Sequence, residues 1–313
     1  MFLRKSKEVN IYFLVILLLG IFAGYPLAYL FKFLNITDYR VMLFITHMTL
    51  FILPAIIYFI ISKKNIKDTL KLNKLHLKDA LLLILLAFLC QPMVTFFSLI
   101  TQLIFPNNVA TVIESIIDTP YILFLLLFAV MPAITEEITI RGIILSGYED
   151  ENMYSSAIIT GLFFGIMHLD GQQFLYAMVL GIILALVVRI TKSIFSSMLI
   201  HFVINGTSVT LSKLMSLIPA SEEEINVANE VAFNSLPSLV IFETILFYGM
   251  LAIIFSIAIY YTFKKLISLN INRKIITREE VKLKKNFAKS FKNLANIPVL
   301  SIIGIYLIYM AIF

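Results

Sequence analysis

Met131-Pro132-Ala133-Ile134-Thr135-Glu136-Glu137-Ile138-Thr139-Ile140-Arg141-Gly142 is the stretch on which the reading of this chain turns. Two adjacent carboxylates and an arginine interrupt an apolar run that covers roughly residues 121–145. A charge in the middle of a bilayer costs several kcal/mol, so such residues face a bundle interior or a hydrated cavity and mark functional sites. Glu137 and Arg141 stand four residues apart, share a helix face and form a structural ion pair. Glu136 points about 100° away and cannot easily use the same arginine. It is therefore left freer, a state that suits general-base work on water. Pro132 predicts a kink or a helix start just before the carboxylates, turning them toward a cavity rather than lipid.

The flanking sequence sets the class. A helix of about twenty apolar residues spans a bilayer, and nine such runs are present, roughly 9–31, 41–62, 80–105, 121–145, 153–169, 173–190, 194–217, 238–263 and 297–313. Lipid offers the backbone no hydrogen-bond partners, so all should be helices. They are too long and too uniformly apolar for the alternating strands of a barrel. Hydrophobic residues make up 60% of the 313 and charged ones 14%, where about 25% charged is usual for a soluble domain. The expectation is an all-α, polytopic membrane helix bundle of about eight to nine transmembrane helices, with residues 1–313 forming one integral membrane domain. No internal repeat is evident. The first run lacks a secretory cleavage signal and reads as a retained helix. The single cysteine, Cys90, permits no intrachain disulfide and reads as a small packing residue.

Charge in the loops predicts orientation. Arg4, Lys5 and Lys7 precede the first run; Lys63, Lys64, Lys67, Lys71, Lys74 and Lys78 follow the second; Arg189 and Lys192 follow the sixth. A basic segment, 264–296, follows the eighth and includes Lys264, Lys265, Arg273, Lys274, Arg278, Lys282, Lys284, Lys285, Lys289 and Lys292. Residues 106–120 and 219–237 carry Glu114, Asp118, Glu222, Glu223, Glu224 and Glu230 but no Lys or Arg. The positive-inside rule then places the N-terminus in the cytoplasm and the C-terminus outside. The turn Gly147–Asn152 is acidic and lends this orientation no support. The net charge of +6 reads as contact with the lipid bilayer and not with nucleic acid, with 264–296 as a cytoplasmic linker.

Four histidines are present. His76 falls in a basic linker and reads as a surface residue. His47, within the second run, reads as a packed or pore-facing residue. His168 closes the fifth run, in Phe164-Gly165-Ile166-Met167-His168, and His201 lies inside the seventh, in His201-Phe202-Val203-Ile204-Asn205. His201 and Asn205 share a helix face. Polar groups in lipid seek one another, so these residues and the carboxylates are expected to meet in one cavity. There Glu136 could take a proton from water, while a histidine and Asn205 donate to a developing oxyanion. Glu136, His168 and His201 are also acceptable zinc ligands, although no His-Glu-x-x-His run is present. The residues leave metal-bound and metal-free water equally open.

Glu136-Glu137-x-x-x-Arg141, Phe164-x-x-x-His168 and His201-x-x-x-Asn205, in this order and each on its own apolar run, resemble the three motifs of the CPBP family of CAAX prenyl endopeptidases and bacteriocin-processing and immunity proteins. The resemblance covers roughly 120–210, the expected catalytic core. It implies a helical intramembrane endopeptidase in which Glu136 activates water, Glu137 and Arg141 support it, and His168, His201 and Asn205 surround the scissile carbonyl. It implies a peptide or membrane-protein substrate and leaves zinc as a candidate cofactor. The Ile-, Lys- and Asn-rich composition points to a bacterial plasma membrane, where peptide maturation, bacteriocin self-immunity or pheromone processing suits the resemblance better than a prenylated CAAX peptide. A transporter using the same residues as an ion relay, or a non-catalytic peptide-binding immunity protein, are the competing readings. One tension remains in the depths. Glu136 lies about sixteen residues, or roughly 24 Å, from the outer face, whereas His168 closes a run that should end near that face.

Overall fold

Every apolar run is helical in the computed structural model, which describes residues 2–218, 233–282 and 296–312, with side chains from Lys5 onward. The first run forms α1 (Phe2–Phe22) and α2 (Gly24–Phe33), which meet at a 54° bend. Pro26 accounts for the bend, because its ring excludes the carbonyl four residues back, that of Phe22, from a straight helix. The second and third runs are α3 (Tyr39–Ser62) and α4 (Leu77–Gln102). A short α5 (Asn108–Ser115) lies in the connection that follows. Next come α6 (Tyr121–Ile144), α7 (Met153–Met167), α8 (Gly171–Thr191) and α9 (Phe195–Met215). The last two runs are α10 (Ser238–Asn272) and α11 (Ile297–Ile312). By length and composition α3, α4, α6, α8 and α10 can each cross a bilayer, and the bent α1–α2 pair makes a sixth candidate. The protein is a polytopic helical membrane protein. Among the described residues no strand is present. Glu222, Glu223, Glu224, Glu230, Lys284, Lys285, Lys289 and Lys292 lie outside the described residues.

Pro132 does not break its helix. α6 continues through it, and the turn before it widens into a π-helix over Leu126–Val130. α3 does the same, with a π-helix over Met48–Ile52 just before Pro54. A π turn bonds i to i+5, which accommodates a residue that lacks an N–H and crowds the carbonyl four back. A second π stretch, Ile138–Ile144, begins directly after the carboxylates and contains Arg141.

Side-chain contacts sort the connections into two ends. At one end Lys5 Nζ lies 3.2 Å from Asp150, Lys64 Nζ 2.7 Å from Glu8, Lys192 Nζ 2.9 Å from Glu280 and Arg273 2.6 Å from Asp79. Lys71, itself buried, pairs with Glu149. The acidic turn 147–152 is thus matched by lysines of neighbouring loops, which explains why its charge opposes the pattern around it. Glu280 shows the same matching. Partial burial disfavours its carboxylate, but Lys192 and the backbone N–H of Thr277 outweigh that and hold it below the ordinary glutamate range. At the opposite end Asn108 donates to Asp170 at 3.3 Å, Thr101 donates to the carbonyl of Gln172 at 2.6 Å, and Lys213 donates to the carbonyl of Ile117. Arg40, also at this end, donates to both oxygens of Asp38 and holds that carboxyl down to about 2.

α7 and α8 form a hairpin. α7 has 15 residues, about 22 Å at 1.5 Å per residue, and falls short of the ~30 Å hydrocarbon core. Its tip at His168 therefore lies below the opposite end, where Phe105 packs on Gly171. That settles the tension in depth: the helix is short, and His168 sits at the level of the carboxylates. Glycines let the two helices approach closely, as small residues do in membranes. A Cβ on Gly161 would lie 2.8 Å from the carbonyl oxygen of Met178 and 2.9 Å from the amide of Ile182. Gly161→Ala is expected to lower stability by about 1–3 kcal/mol. Gly304→Ala, which meets nothing within 4 Å, should leave it unchanged; thermal unfolding in detergent compares the two.

Candidate active site

The two carboxylates of α6 have different surroundings, because adjacent residues on a helix face different directions. Glu137 is fully buried, as is Arg141, whose guanidinium lies 3.2 Å from Glu137 Oε1. The same oxygen accepts from His201 Nδ1 at 2.9 Å. Arg141 also lies 4.2 Å from the centroid of the Phe164 ring and reaches the carbonyl of Gly181 at 3.4 Å. Three helices, α7, α8 and α9, thus converge on one buried ion pair. Glu136 makes no ion pair with the arginine. Its carboxylate lies 3.9 Å from His201 Nε2 and lines a cavity of about 490 Å³.

His168, His201 and Asn205 line that cavity too. Phe164 stands at the centre of the group, edge-on to His168 at 5.0 Å and to His201 at 5.7 Å. Asn205 donates to the carbonyl of Phe128 at 3.2 Å, which leaves its second amide hydrogen available. The sequence-predicted residues therefore divide into two layers. Glu136, His168, His201 and Asn205 face the cavity, and Glu137 and Arg141 lie beneath it.

The hydrogen bonds set the tautomers. His201 Nδ1 faces a carboxylate and therefore donates. His168 Nδ1 lies 2.7 Å from the carbonyl of Phe164 and donates as well. A third histidine follows the same rule. Thr135 Oγ1 gives its one proton to the carbonyl of Met131 at 2.9 Å, so it accepts from His47 Nδ1 at 3.2 Å. In all three rings Nε2 is left free of these bonds, as an acceptor in the neutral ring and a donor in the doubly protonated one.

His47, read from the sequence as a packed or pore-facing residue and not as part of the catalytic group, lines the cavity. Its signal was its place in the middle of an apolar run, but one histidine there does not reveal which neighbour it meets. The zinc expectation fares differently. Among the described residues no three His, Cys, Asp or Glu side chains are placed to hold a metal ion. Glu136, His168 and His201 share a cavity without forming a ligand set.

Residues 118–207 match the family model described as Type II CAAX prenyl endopeptidase Rce1-like. This segment is similar to that family. It runs from just before α6 into α9 and so holds all three motifs. No curated protein and no solved structure matches the chain. The family so matched is one of hydrolases, intramembrane endopeptidases of the CAAX type, and the match supports that class of activity for this chain. His47, on α3, stands outside the matched segment and completes the wall of the Rce1-like cavity from the flanking bundle.

Arg141→Ala leaves Glu137 as a buried charge with its arginine gone and is expected to cost about 3–5 kcal/mol of stability. Arg141→Met combined with Glu137→Gln removes both charges and should recover much of that loss. Chemical unfolding in detergent measures both variants.

Proposed function

We propose that the protein cleaves a peptide bond of a membrane-associated peptide or protein with a water activated by Glu136. The observation that carries this reading is the unequal use of the two carboxylates. Glu137 is committed to Arg141 and His201, whereas Glu136 faces the cavity with His201 Nε2 at 3.9 Å. Glu136 takes a proton from water as the oxygen attacks the scissile carbonyl carbon. The resulting oxyanion accepts from Asn205 and, when His201 carries its second proton, from His201 Nε2–H. Collapse breaks the C–N bond, and Glu136 delivers its proton to the departing amine. Glu137 keeps His201 oriented by accepting from Nδ1, and Arg141 keeps Glu137 in place. His168 and His47 hold further polar positions on the cavity wall and orient water or the peptide.

The basic end faces the cytoplasm in this reading, with the N-terminus, and the membrane is a bacterial plasma membrane. Maturation of a peptide such as a bacteriocin or pheromone, or self-immunity, suits the Rce1-like core in that setting. The competing use of the cavity is transport or non-catalytic peptide binding. A cavity shared by a carboxylate without an arginine partner, an asparagine and oriented imidazoles supports hydrolysis, and the buried Glu137–Arg141 layer below it gives a transported ion no polar continuation.

Glu136→Gln is expected to lower the cleavage rate by at least about 10²-fold while leaving the unfolding temperature unchanged, and His201→Ala to lower it comparably. His47→Phe should reduce the rate less, because its hydrogen bond goes to Thr135 and not to the proposed base. Comparative peptidomics of membranes carrying wild type and Glu136→Gln checks the first point; identical peptide sets would remove the hydrolytic reading.

A further inference from the structure

The cavity is one-sided. α6 lines it with Phe128, Pro132 and Glu136 and with nothing after Glu136. α8 lines it from Gln172 to Leu180, α9 from His201 onward, and α4 from Gln91 onward. All these positions lie at the level of Glu136 or between it and the end opposite the basic loops. Toward the basic end the next layers are closed. Glu137, Arg141, Ile140, Ile143 and Ile144 are fully buried, and Leu70 packs on Gly142. Toward the opposite end, Ser208 is exposed and Asn107 partly so, and both line the cavity.

The wall has a second property. Glu136 is the only Asp, Glu, Lys or Arg among the described residues that line it. The remaining polar lining is the imidazoles of His47, His168 and His201 together with amides and hydroxyls, and two buried amide atoms lack a protein partner. Gln91 Nε2 is an unused donor and Gln172 Oε1 an unused acceptor, while Gln172 Nε2 is held by Ser98 Oγ at 2.7 Å. Gln172 is 2% exposed. A buried polar atom without a partner is costly, and rotation of these two side chains toward the cavity that their residues line would let a peptide group, with one donor and one acceptor, supply what they lack. A cationic side chain would find no counter-ion here except the proposed base itself, and an anionic one only an imidazole that has taken up its second proton.

We propose that the substrate is an uncharged polypeptide segment that enters from the face opposite the basic loops, with its peptide groups bonded by Gln91 and Gln172. Under the positive-inside rule that face is non-cytoplasmic, so the substrate is an exported peptide or the outward end of a membrane anchor. The inference rests on the hydrolytic reading for its chemistry. Its sidedness rests on geometry and loop charge alone.

Two measurements separate these parts. In intact cells expressing the full chain, Ser208→Cys and Asn107→Cys are expected to react with a membrane-impermeant maleimide, and Lys74→Cys only after permeabilisation. Cys90, fully buried, is the built-in unreactive control. Glu136→Gln in the same background should leave the labelling unchanged. Labelling of Lys74→Cys in intact cells with Ser208→Cys and Asn107→Cys protected, or no labelling of Ser208→Cys under either condition, overturns the proposed entry side. Peptides released by wild type and not by Glu136→Gln are then mapped onto their parent proteins. Bonds in uncharged stretches of exported or outward-facing segments support the substrate class; bonds flanked by charges, or in cytoplasmic proteins, overturn it. Identical peptide sets remove the hydrolytic reading and the substrate class together, and the labelling result still decides which way the cavity faces.

Discussion

The rest of the structure depends on a single buried ion pair, Glu137 with Arg141. Both side chains are completely withdrawn from solvent, where isolated charges are most costly. The bundle meets that cost by bringing partners from three other helices. His201 arrives from α9, the carbonyl of Gly181 from α8, and the ring of Phe164 from α7. Each partner also does something at the cavity above. His201 presents Nε2 toward Glu136, Phe164 braces both motif histidines, and Gly181 sits where α8 and α7 come closest. The pair is thus the point at which fold and site become the same object.

That arrangement explains why two neighbouring glutamates are not redundant. A helix sends adjacent side chains in different directions, so one can be spent on structure while the next remains free. The π-helix from Ile138 to Ile144 lets the turn carrying Arg141 seat against α8 while the carboxylates stay in regular α-helix. The earlier π turn, Leu126–Val130, directly precedes the α-helical stretch that holds Pro132, and the helix runs on unbroken. Both irregular turns adjoin the site, as π turns inside α-helices often do.

The architecture also separates the two ends of the molecule. Lysines and carboxylates lace the loops at one end, and they include the acidic turn that seemed out of place by charge alone. The cavity belongs to the other end. The short α7 is what makes this possible, since a full-length helix would have carried His168 past the level of Glu136.

Much was legible in the residues themselves. Runs of about twenty apolar side chains admit only helices in lipid, and all nine are helical, the first as a bent pair. The i, i+4 spacing of Glu137 and Arg141 dictated their pairing, and the same spacing put His201 and Asn205 on one face. These are local consequences of helical periodicity, which needs no knowledge of neighbours. Only the tertiary structure decided what the third dimension supplies. It turned Pro132 into a π turn instead of a break, ended α7 short of the far face, enrolled His47 through Thr135, and gave three imidazoles a common tautomer. It also left the candidate zinc ligands without a metal geometry among the described residues. Those outcomes depend on which faces of different helices meet, and helical periodicity specifies the face a residue occupies but not the helix that will cover it.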